Sequence, residues 1–353
     1  MALLPTSVPA NFSTSSINVD QNNTNIIRCP EKEPQWVYIV VPVYILLISV
    51  LGIVFNMFVL MVFCLHKKAC TVAEIYLSNL AAADLVLVSC LPFWAVNIKR
   101  GFDWPFGLFL CKVVNVGIKM NAYCSIYFLV LVSIDRYVAL VHTMSYGRMR
   151  RPKYAKLGCV VVWGLCLLLS VPTLIYRKLK HRGKITECHS SYSATEFLMY
   201  NVMLTIFSFI IPIAIISFCT IKIIQAVNNR LMERLNSQKM EHKATTLVLA
   251  VLLAFLICWV PYHLTRMVYM LKDVKVLTGC RLIEILNICR QIFTYFAFFN
   301  SVLNPILYVI VGKNFRKKVK ELFKQWSINR TTFTITSTRS TLLRSVNSQN
   351  TRS

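Results

Sequence analysis

The sequence predicts an all-α membrane protein, a bundle of seven transmembrane helices followed by a short amphipathic eighth helix. Of its 353 residues, 56% are apolar and only 15% are charged, against about 25% charged in an average globular protein. The 39 Lys and Arg outnumber the 14 Asp and Glu and give a net charge of +25. These basic residues lie mainly between apolar runs of membrane length, which indicates loops at a bilayer surface. We therefore expect membrane lipids, and no nucleic acid, among the partners.

A spanning helix needs about 20 mostly apolar residues. Seven segments meet this requirement, in the order Trp36–Leu65, Val72–Ile98, Leu108–Val141, Lys156–Tyr176, Phe197–Ala226, Ala244–Leu271 and Leu282–Val311. Buried helices of a soluble protein would carry polar faces, which these segments lack. The predicted organisation is an extracellular glycosylated segment (1–35), the seven-helix domain (36–311), an amphipathic eighth helix (312–325) and a disordered cytoplasmic tail (326–353).

Two signals orient the chain in the plasma membrane. Asn11 and Asn22 begin glycosylation sequons in a polar N-terminal segment, and such sites are modified only outside the cell. Lys and Arg cluster on the opposite side, after the first, third, fifth and seventh spans, and that side should be cytoplasmic. The N-terminus is therefore expected outside and the C-terminus inside.

The motifs of several other protein classes are missing from the sequence. With ten glycines there is no glycine-rich phosphate loop, and no HExxH motif or His/Cys cluster suggests a metal site. Matching halves with Gly/Pro-broken helices, which are typical of transporters, are absent. The chain is therefore not expected to be an enzyme, and a transporter or channel is a weak alternative.

Asp84 is the principal polar residue within a span. A lone carboxylate in a membrane must be protonated, paired or bound to a cation. Its potential partners carry amide or hydroxyl groups at similar depth in other spans: Asn56, Asn121, Ser125, Asn300, Ser301 and Asn304. These oxygens could hold an allosteric sodium ion, although a water-filled hydrogen-bond network is the alternative. No other metal and no organic cofactor is expected.

Residues suited to an activation switch lie in the third, sixth and seventh spans. The third span ends with Asp135, Arg136 and Tyr137, and Arg136 could pair with Asp135 or, across the bundle, with Glu241. Proline removes a helical hydrogen bond and creates a hinge. Such hinges occur beside two aromatic residues, in the segments Trp259 to Pro261 and Pro305 to Tyr308. Breaking the Arg136 pair would let the sixth span move outward.

Four of the thirteen cysteines fall outside the cell in this topology: Cys29, Cys111, Cys188 and Cys280. An even number in an oxidising compartment suggests two disulfides. The arithmetic alone leaves three pairings open.

Together these motifs resemble class A (rhodopsin-like) G-protein-coupled receptors over residues 36–325. The matching residues include Asn56, Leu80 to Asp84, Cys111, Asp135-Arg136-Tyr137, Trp163, Cys188, Pro212, Cys258 to Pro261 and Asn304 to Tyr308. The resemblance implies a Cys111–Cys188 bridge, a sodium pocket at Asp84 and G-protein coupling at Arg136. It also implies an eighth helix that includes Phe315.

Within that class the chain resembles the bradykinin (kinin) receptors. The similar stretches are residues 63–67, 70–77, 91–95, 102–104, 133–137, 147–150 and 308–313. They resemble the second subtype more than the first. This resemblance implies a Cys29–Cys280 bridge, a Gq-type G protein, phospholipase C activation and calcium release. The tail contains thirteen Ser and Thr after Gln325, and their phosphorylation by a receptor kinase would suit arrestin binding.

The peptide ligand is expected in an extracellular cavity among the spans. Candidate lining residues are Trp94, Asn115, Lys119, Tyr262, His263, Arg266, Tyr269, Glu284, Asn287, Arg290, Gln291 and Tyr295. Kinin receptors carry acidic residues where this chain has Tyr269 and Asn287, and Glu284 or Asp273 could substitute for them. Lys119 resembles the lysine of the first subtype, which favours kinins lacking their last arginine.

Basic loops at the outer mouth also favour a less basic peptide. The loop from Arg177 to Glu196 carries five Lys and Arg against two Glu, and such a field attracts anionic groups. The alternative is a solvated loop surface without ligand contact. A chemokine- or angiotensin-like receptor is the alternative function. An opsin is disfavoured because Phe298 lies where its retinal-binding lysine would be.

Overall fold

The computed structural model of the protein describes residues 35–66, 69–141, 152–232, 239–273, 280–310, 312 and 314–327. Its helices are α1 (Gln35–Leu65), α2 (Val72–Lys99), α3 (Gly107–Val141), α4 (Pro152–Tyr176), α5 (Ala194–Thr205), α6 (Ile211–Met232), α7 (Lys239–Asp273) and α8 (Cys280–Ile310). Helices α5 and α6 together form the fifth span, so α7 is the sixth and α8 the seventh. All seven spans are long and apolar enough to cross a membrane, which confirms the predicted fold class.

Helix α3 forms the centre of the bundle, because it packs against α2, α4, α6 and α7. Helix α8 closes the ring against α7, α1 and α2. Large apolar residues such as Ile39, Val43 and Val160 are exposed on the outside. In a soluble protein such a surface would be unusual, whereas lipid tails solvate it well.

Helices α1 and α2 approach each other closely at Gly52. A Cβ atom at this position would lie 2.5 Å from Cγ1 of Val88. Small residues allow transmembrane helix backbones to come this near. Beside this contact the hydroxyl of Ser49 donates a hydrogen bond to the Val88 carbonyl at 2.7 Å.

The fifth span changes helical geometry where α5 meets α6. Residues Ile206–Ile210 form a π turn immediately before Pro212. Proline cannot donate the normal i to i−4 hydrogen bond, and a π turn is a common way to accommodate such a break. Pro212 is evident in the sequence, but the π turn was not predicted from it.

A β-hairpin follows α4 at the end of the bundle that the sequence predicts to be extracellular, which we call the outer end. Strands β1 (Arg177–Arg182) and β2 (Ile185–Ser190) pair antiparallel, with Leu179 opposite Cys188. Gly183 has a φ of 58° in the two-residue turn, a conformation that glycine adopts without steric cost. The hairpin was not predicted from the sequence.

The hairpin is fixed to the bundle at two points. Cys188 forms a disulfide with Cys111 at the outer end of α3, as the resemblance implied. On the other side the Trp104 amide donates to the Thr186 carbonyl at 2.7 Å, and the Thr186 amide donates to Asp103 Oδ1 at 3.1 Å. Hydrogen bonds from Arg100 and from this amide lower the pKa of the Asp103 carboxyl. The hairpin is therefore held in a defined position over the outer mouth.

Residues 314–327 form a further helix, α9, after the seventh span. Its first turn buries Phe315 against Phe58, Phe63 and Tyr308, with ring centroids 5.5–6.3 Å apart. Two polar contacts also join α9 to the bundle. Lys318 Nζ forms an ion pair with Glu74 Oε2, and His66 Nε2 forms a hydrogen bond with Glu321 Oε2, each at 2.9 Å. The predicted eighth helix is thus present, two residues later than the predicted bounds.

Replacement of Phe315 should detach α9 from the bundle. Phe315→Ala removes a buried ring from three aromatic neighbours, a change that costs about 3 kcal/mol in a packed core. We expect the backbone amides of 314–327 to exchange roughly 100-fold faster with solvent deuterium in detergent. Phe323→Ala is the matched control, because Phe323 is 58% exposed on the same helix. Equal effects of the two substitutions would contradict this packing.

Candidate functional site

The outer half of the bundle buries basic side chains from three elements. Lys119 on α3, Arg177 on β1 and Arg266 on α7 are 3%, 2% and 6% exposed. Lys119 Nζ lies 5.2 Å from the centroid of the Tyr200 ring. Burial lowers the pKa of Arg177 to about 10, so its guanidinium remains positive at neutral pH. This arrangement attracts anionic groups.

Aromatic side chains form the floor below these cations. The Tyr262 and His263 rings lie 5.1 Å apart, and Trp259 lies 5.8 Å from Tyr262. Phe209 of the π turn stacks on His263 at 4.6 Å. A ligand that reaches this depth would therefore contact the fifth and sixth spans together. Tyr262, His263 and Arg266 lie together here, and their contact with the ligand stays a prediction.

The other predicted ligand residues are distributed more widely. Asn115 is buried and donates to the Cys111 carbonyl at 2.7 Å and to Cys188 Sγ at 3.4 Å, so it supports the disulfide. Trp94 is buried on α2. Along α8, Glu284 is exposed, while half-buried side chains are found at Asn287, Arg290, Gln291 and Tyr295. The side chains of Tyr269 and Asp273 lie outside the described part of the structure.

Asp84 lies at the centre of the bundle with no exposed surface. Oδ1 accepts hydrogen bonds from Asn121 Nδ2 at 3.0 Å and from Ser301 Oγ at 2.8 Å. The Ser125 hydroxyl is more distant, at 3.5 Å, and Asn304 Nδ2 donates to Oδ2 at 2.9 Å. All four side chains donate hydrogen bonds to the carboxylate. Such hydrogen bonds favour the charged form of a carboxyl group.

The seventh span contributes two of its three candidate residues to Asp84. Ser301 and Asn304 contact the carboxylate, whereas Asn300 does not. Asn56 donates to the Ser301 carbonyl at 2.9 Å, and it therefore connects α1 to the network through the backbone.

Arg136 lies at the inner end of α3. Its Nη2 atom pairs with Asp135 Oδ2 at 2.9 Å, and both side chains are largely buried. The Tyr137 ring packs at 5.7 Å from Phe218 of α6. The side chain of Glu241 lies outside the described residues, so the predicted pair across the bundle stays a prediction. Tyr308, beneath Pro305 in the seventh span, is fully buried beside Phe315.

Two residues of this site were not assigned to it from the sequence. Arg177 was counted only as loop charge, and Asn201 was not considered. The Arg266 guanidinium donates to the Asn201 side-chain oxygen across the fifth and sixth spans. An asparagine within an apolar span is a signal that could have identified Asn201, since such residues generally have a partner.

The sequence matches one known protein family over most of the bundle. The profile of the family described as 7 transmembrane receptor (rhodopsin family) matches residues 55–308. The chain belongs to this family. Its members are receptors and not enzymes, as predicted. The match covers the spans that contain Asp84, Arg136, Trp259 and Pro305.

The receptor is also similar to bradykinin receptors over most of its length. It is 45% identical to the B2 bradykinin receptor of Homo sapiens over 332 residues, which cover 90% of this chain and 85% of that protein. Identity to the B2 receptor of Oryctolagus cuniculus is 46% over 302 residues, covering 84% and 82%. Identity to the B1 receptor of Homo sapiens is 40% over 313 residues, covering 85% and 87%. The predicted resemblance to kinin receptors, nearer the second subtype, is confirmed.

Two serines in contact with Asp84 allow a direct test of the network. Ser301→Ala removes a 2.8 Å hydrogen bond to a buried carboxylate, a loss of about 1.5–3 kcal/mol. Ser125→Ala removes a 3.5 Å contact and should cost much less. We expect a clearly lower melting temperature in detergent for Ser301→Ala than for Ser125→Ala. The reverse order would contradict the assignment.

Proposed function

We propose that the receptor binds a kinin-type peptide at its extracellular face and activates a Gq-type G protein at its cytoplasmic face. Phospholipase C activation and calcium release would follow. The observation that carries this proposal is the 45% identity to a B2 bradykinin receptor over 90% of the chain. The proposal places the N-terminus outside the plasma membrane, with Asn11 and Asn22 glycosylated and with a second bridge between Cys29 and Cys280. Asn11, Asn22 and Cys29 lie outside the described residues, and so does the side chain of Cys280.

Lys119 is the proposed contact for the C-terminal carboxylate of the peptide. Its ammonium group is buried and has no hydrogen-bond partner among the described residues. A carboxylate would supply both a counter-charge and an acceptor. Because Tyr269 and Asn287 replace the acidic residues of kinin receptors, we expect a weaker contact with the N-terminal arginine. Because Lys119 can contact the terminal carboxylate, kinins lacking the last arginine should be effective agonists.

Agonist binding is transmitted through the sixth span. Trp259 contacts the rings of Tyr262 and His263, one turn further along the helix. Pro261 lies between them and allows the helix to bend there. An agonist must bind the open-cytoplasm state more tightly, since equal affinity for both states shifts nothing. Outward movement of the sixth span would then free Arg136 for the G protein. Phosphorylation of the tail by a receptor kinase would end signalling through arrestin.

Asp84 and its neighbours are the proposed site of an allosteric sodium ion. The site offers one carboxylate and the hydroxyls of Ser125 and Ser301. In addition the amide oxygens of Asn300 and Asn304 are buried without a hydrogen-bond partner in the described structure. Such oxygens suit a hard cation. Asp84 would supply the charge, and the hydroxyls and amide oxygens would supply the remaining ligands.

The α9 helix is the proposed membrane-surface element. Phe323 and Trp326 are 58% and 61% exposed there. Large aromatic residues on an exposed helix face suit the lipid interface. Together with the contacts of Phe315, this would hold the start of the tail against the cytoplasmic leaflet.

The peptide specificity can be tested by calcium release in transfected cells. We expect responses to intact kinins and to kinins lacking the last arginine, and none to angiotensin or chemokines. Lys119→Gln should reduce the potency of the truncated kinin by roughly 30-fold or more, the effect of removing one partner of a buried charge pair. Lys112→Gln, on the same helix and only half-buried, is the matched control and should change little.

Two results would count against this assignment. A response to angiotensin or a chemokine with silence to every kinin would identify a different peptide receptor. An equal loss of potency in Lys119→Gln and Lys112→Gln would remove Lys119 from its proposed contact.

Sodium binding can be tested without any ligand. We compare thermal unfolding of the purified receptor in sodium chloride and in choline chloride at equal concentration. Because a ligand that binds only the folded state stabilises it, sodium should raise the melting temperature of the wild type. Asp84→Asn should lose this difference. Identical melting of the wild type in both salts would refute the site.

A further inference from the structure

Three buried cations meet in the outer half of the receptor, and they come from separate elements. Lys119 belongs to α3, Arg177 to β1 and Arg266 to α7. Arg266 and Arg177 are the charged neighbours that act electrostatically on Lys119. Both also act on Tyr200, whose ring lies under the Lys119 ammonium group. All three cations therefore act electrostatically on the same residue, Tyr200.

Each cation retains a hydrogen-bond donor that no described residue uses. Lys119 Nζ, Arg177 Nε and Arg266 Nη1 are all buried without a partner in the described structure. The contacts that they do make are to neutral groups. Arg177 Nη1 donates to the Cys188 carbonyl at 3.1 Å, and Arg266 Nη2 donates to Asn201. These contacts satisfy some donors but supply no negative charge.

The acidic residues described near the outer face are engaged elsewhere or point outward. Asp103 pairs with Arg100 at 2.7 Å, and Glu187 lies 3.7 Å from Arg182. Glu196 accepts the Ser193 amide in a capping box, and Glu284 is exposed. Within the described ranges, none of these carboxylates forms an ion pair with Lys119, Arg177 or Arg266.

This charge is costly to bury. Taking a cation out of water costs several kcal/mol unless an opposite charge is close. A lysine can lower the cost by losing its proton, but guanidinium groups remain charged in proteins. At least two positive charges therefore persist in a region of low dielectric. Such a site gains most from an anion small enough to enter it and able to accept several hydrogen bonds.

We propose that Lys119, Arg177 and Arg266 bind a small monovalent anion of the halide class in the receptor without peptide, and that the carboxylate of a bound peptide displaces it. The anion would accept hydrogen bonds from the three unused donors. The displacement step rests on the proposed function, whereas anion binding itself does not. The free halide and the peptide carboxylate each carry a single negative charge, and this charge is what the three cations would bind.

Halide binding is tested on the purified, peptide-free receptor in lipid nanodiscs. Sodium gluconate is replaced stepwise by sodium chloride at constant ionic strength, so that the sodium concentration never changes. We expect a saturable rise of about 2 to 4 °C in melting temperature, because the halide binds only the folded state. A melting temperature that is the same in both salts overturns the proposal without any mutant.

Variants then locate the anion. Lys119→Gln and Arg266→Gln should abolish the chloride-dependent rise. Lys178→Gln should retain it, since Lys178 is an exposed residue next to Arg177. Arg266→Gln also loses the contact with Asn201 and could destabilise the receptor. Lys119→Gln loses no hydrogen bond within the described structure, and a full chloride response in this variant would place the anion elsewhere and overturn the site.

Displacement is measured separately with a labelled kinin lacking its last arginine. In the wild type its dissociation constant should rise about 10-fold between gluconate and chloride, because the halide and carboxylate compete. In Lys119→Gln this dependence should disappear. Equal affinity in both salts overturns the displacement step. If the kinin does not bind at all but chloride still stabilises the receptor, then the proposed function fails and the anion site stands.

Discussion

The carboxylate of Asp84 is the constraint on which the middle of the bundle depends. A charge without exposed surface must be satisfied by the protein, and its donors come from the third and seventh spans. Asn56 brings the first span to the same point through the Ser301 carbonyl. One buried carboxylate therefore constrains the rotation of the second, third and seventh spans directly, and that of the first span only through the Ser301 backbone. A change in this network would alter several helix contacts together.

The buried charged groups in the outer half of the receptor have different neighbours from those of Asp84. Around Asp84 the polar groups of the protein donate hydrogen bonds to the carboxylate. Around Lys119, Arg177 and Arg266 the described residues supply only neutral acceptors. The first arrangement joins the helices, whereas the second leaves buried donors without an acceptor among the described residues. The disulfide of Cys188 and the contacts of the hairpin hold Arg177 in place.

Much of the architecture could be predicted because membrane spans depend on local composition. Seven apolar segments gave the number and order of helices, and the isolated polarity of Asp84 identified its site. Lys119 was recognisable for the same reason. The choice between Asn300 and Ser301 was not predictable, since both lie at the right depth and only the rotation of α8 decides which of them contacts Asp84. The π turn before Pro212 likewise depends on how the fifth span packs.

The sequence alone determined the class of the protein, the positions of its spans and the residue types that must find partners within the membrane. Tertiary structure decided which partners they found. Arg177 shows the reason: in the sequence it is one of several basic residues in a loop, yet the hairpin and the disulfide bury it beside Lys119 and Arg266. Burial and proximity between distant segments arise from packing, and no local pattern encodes them.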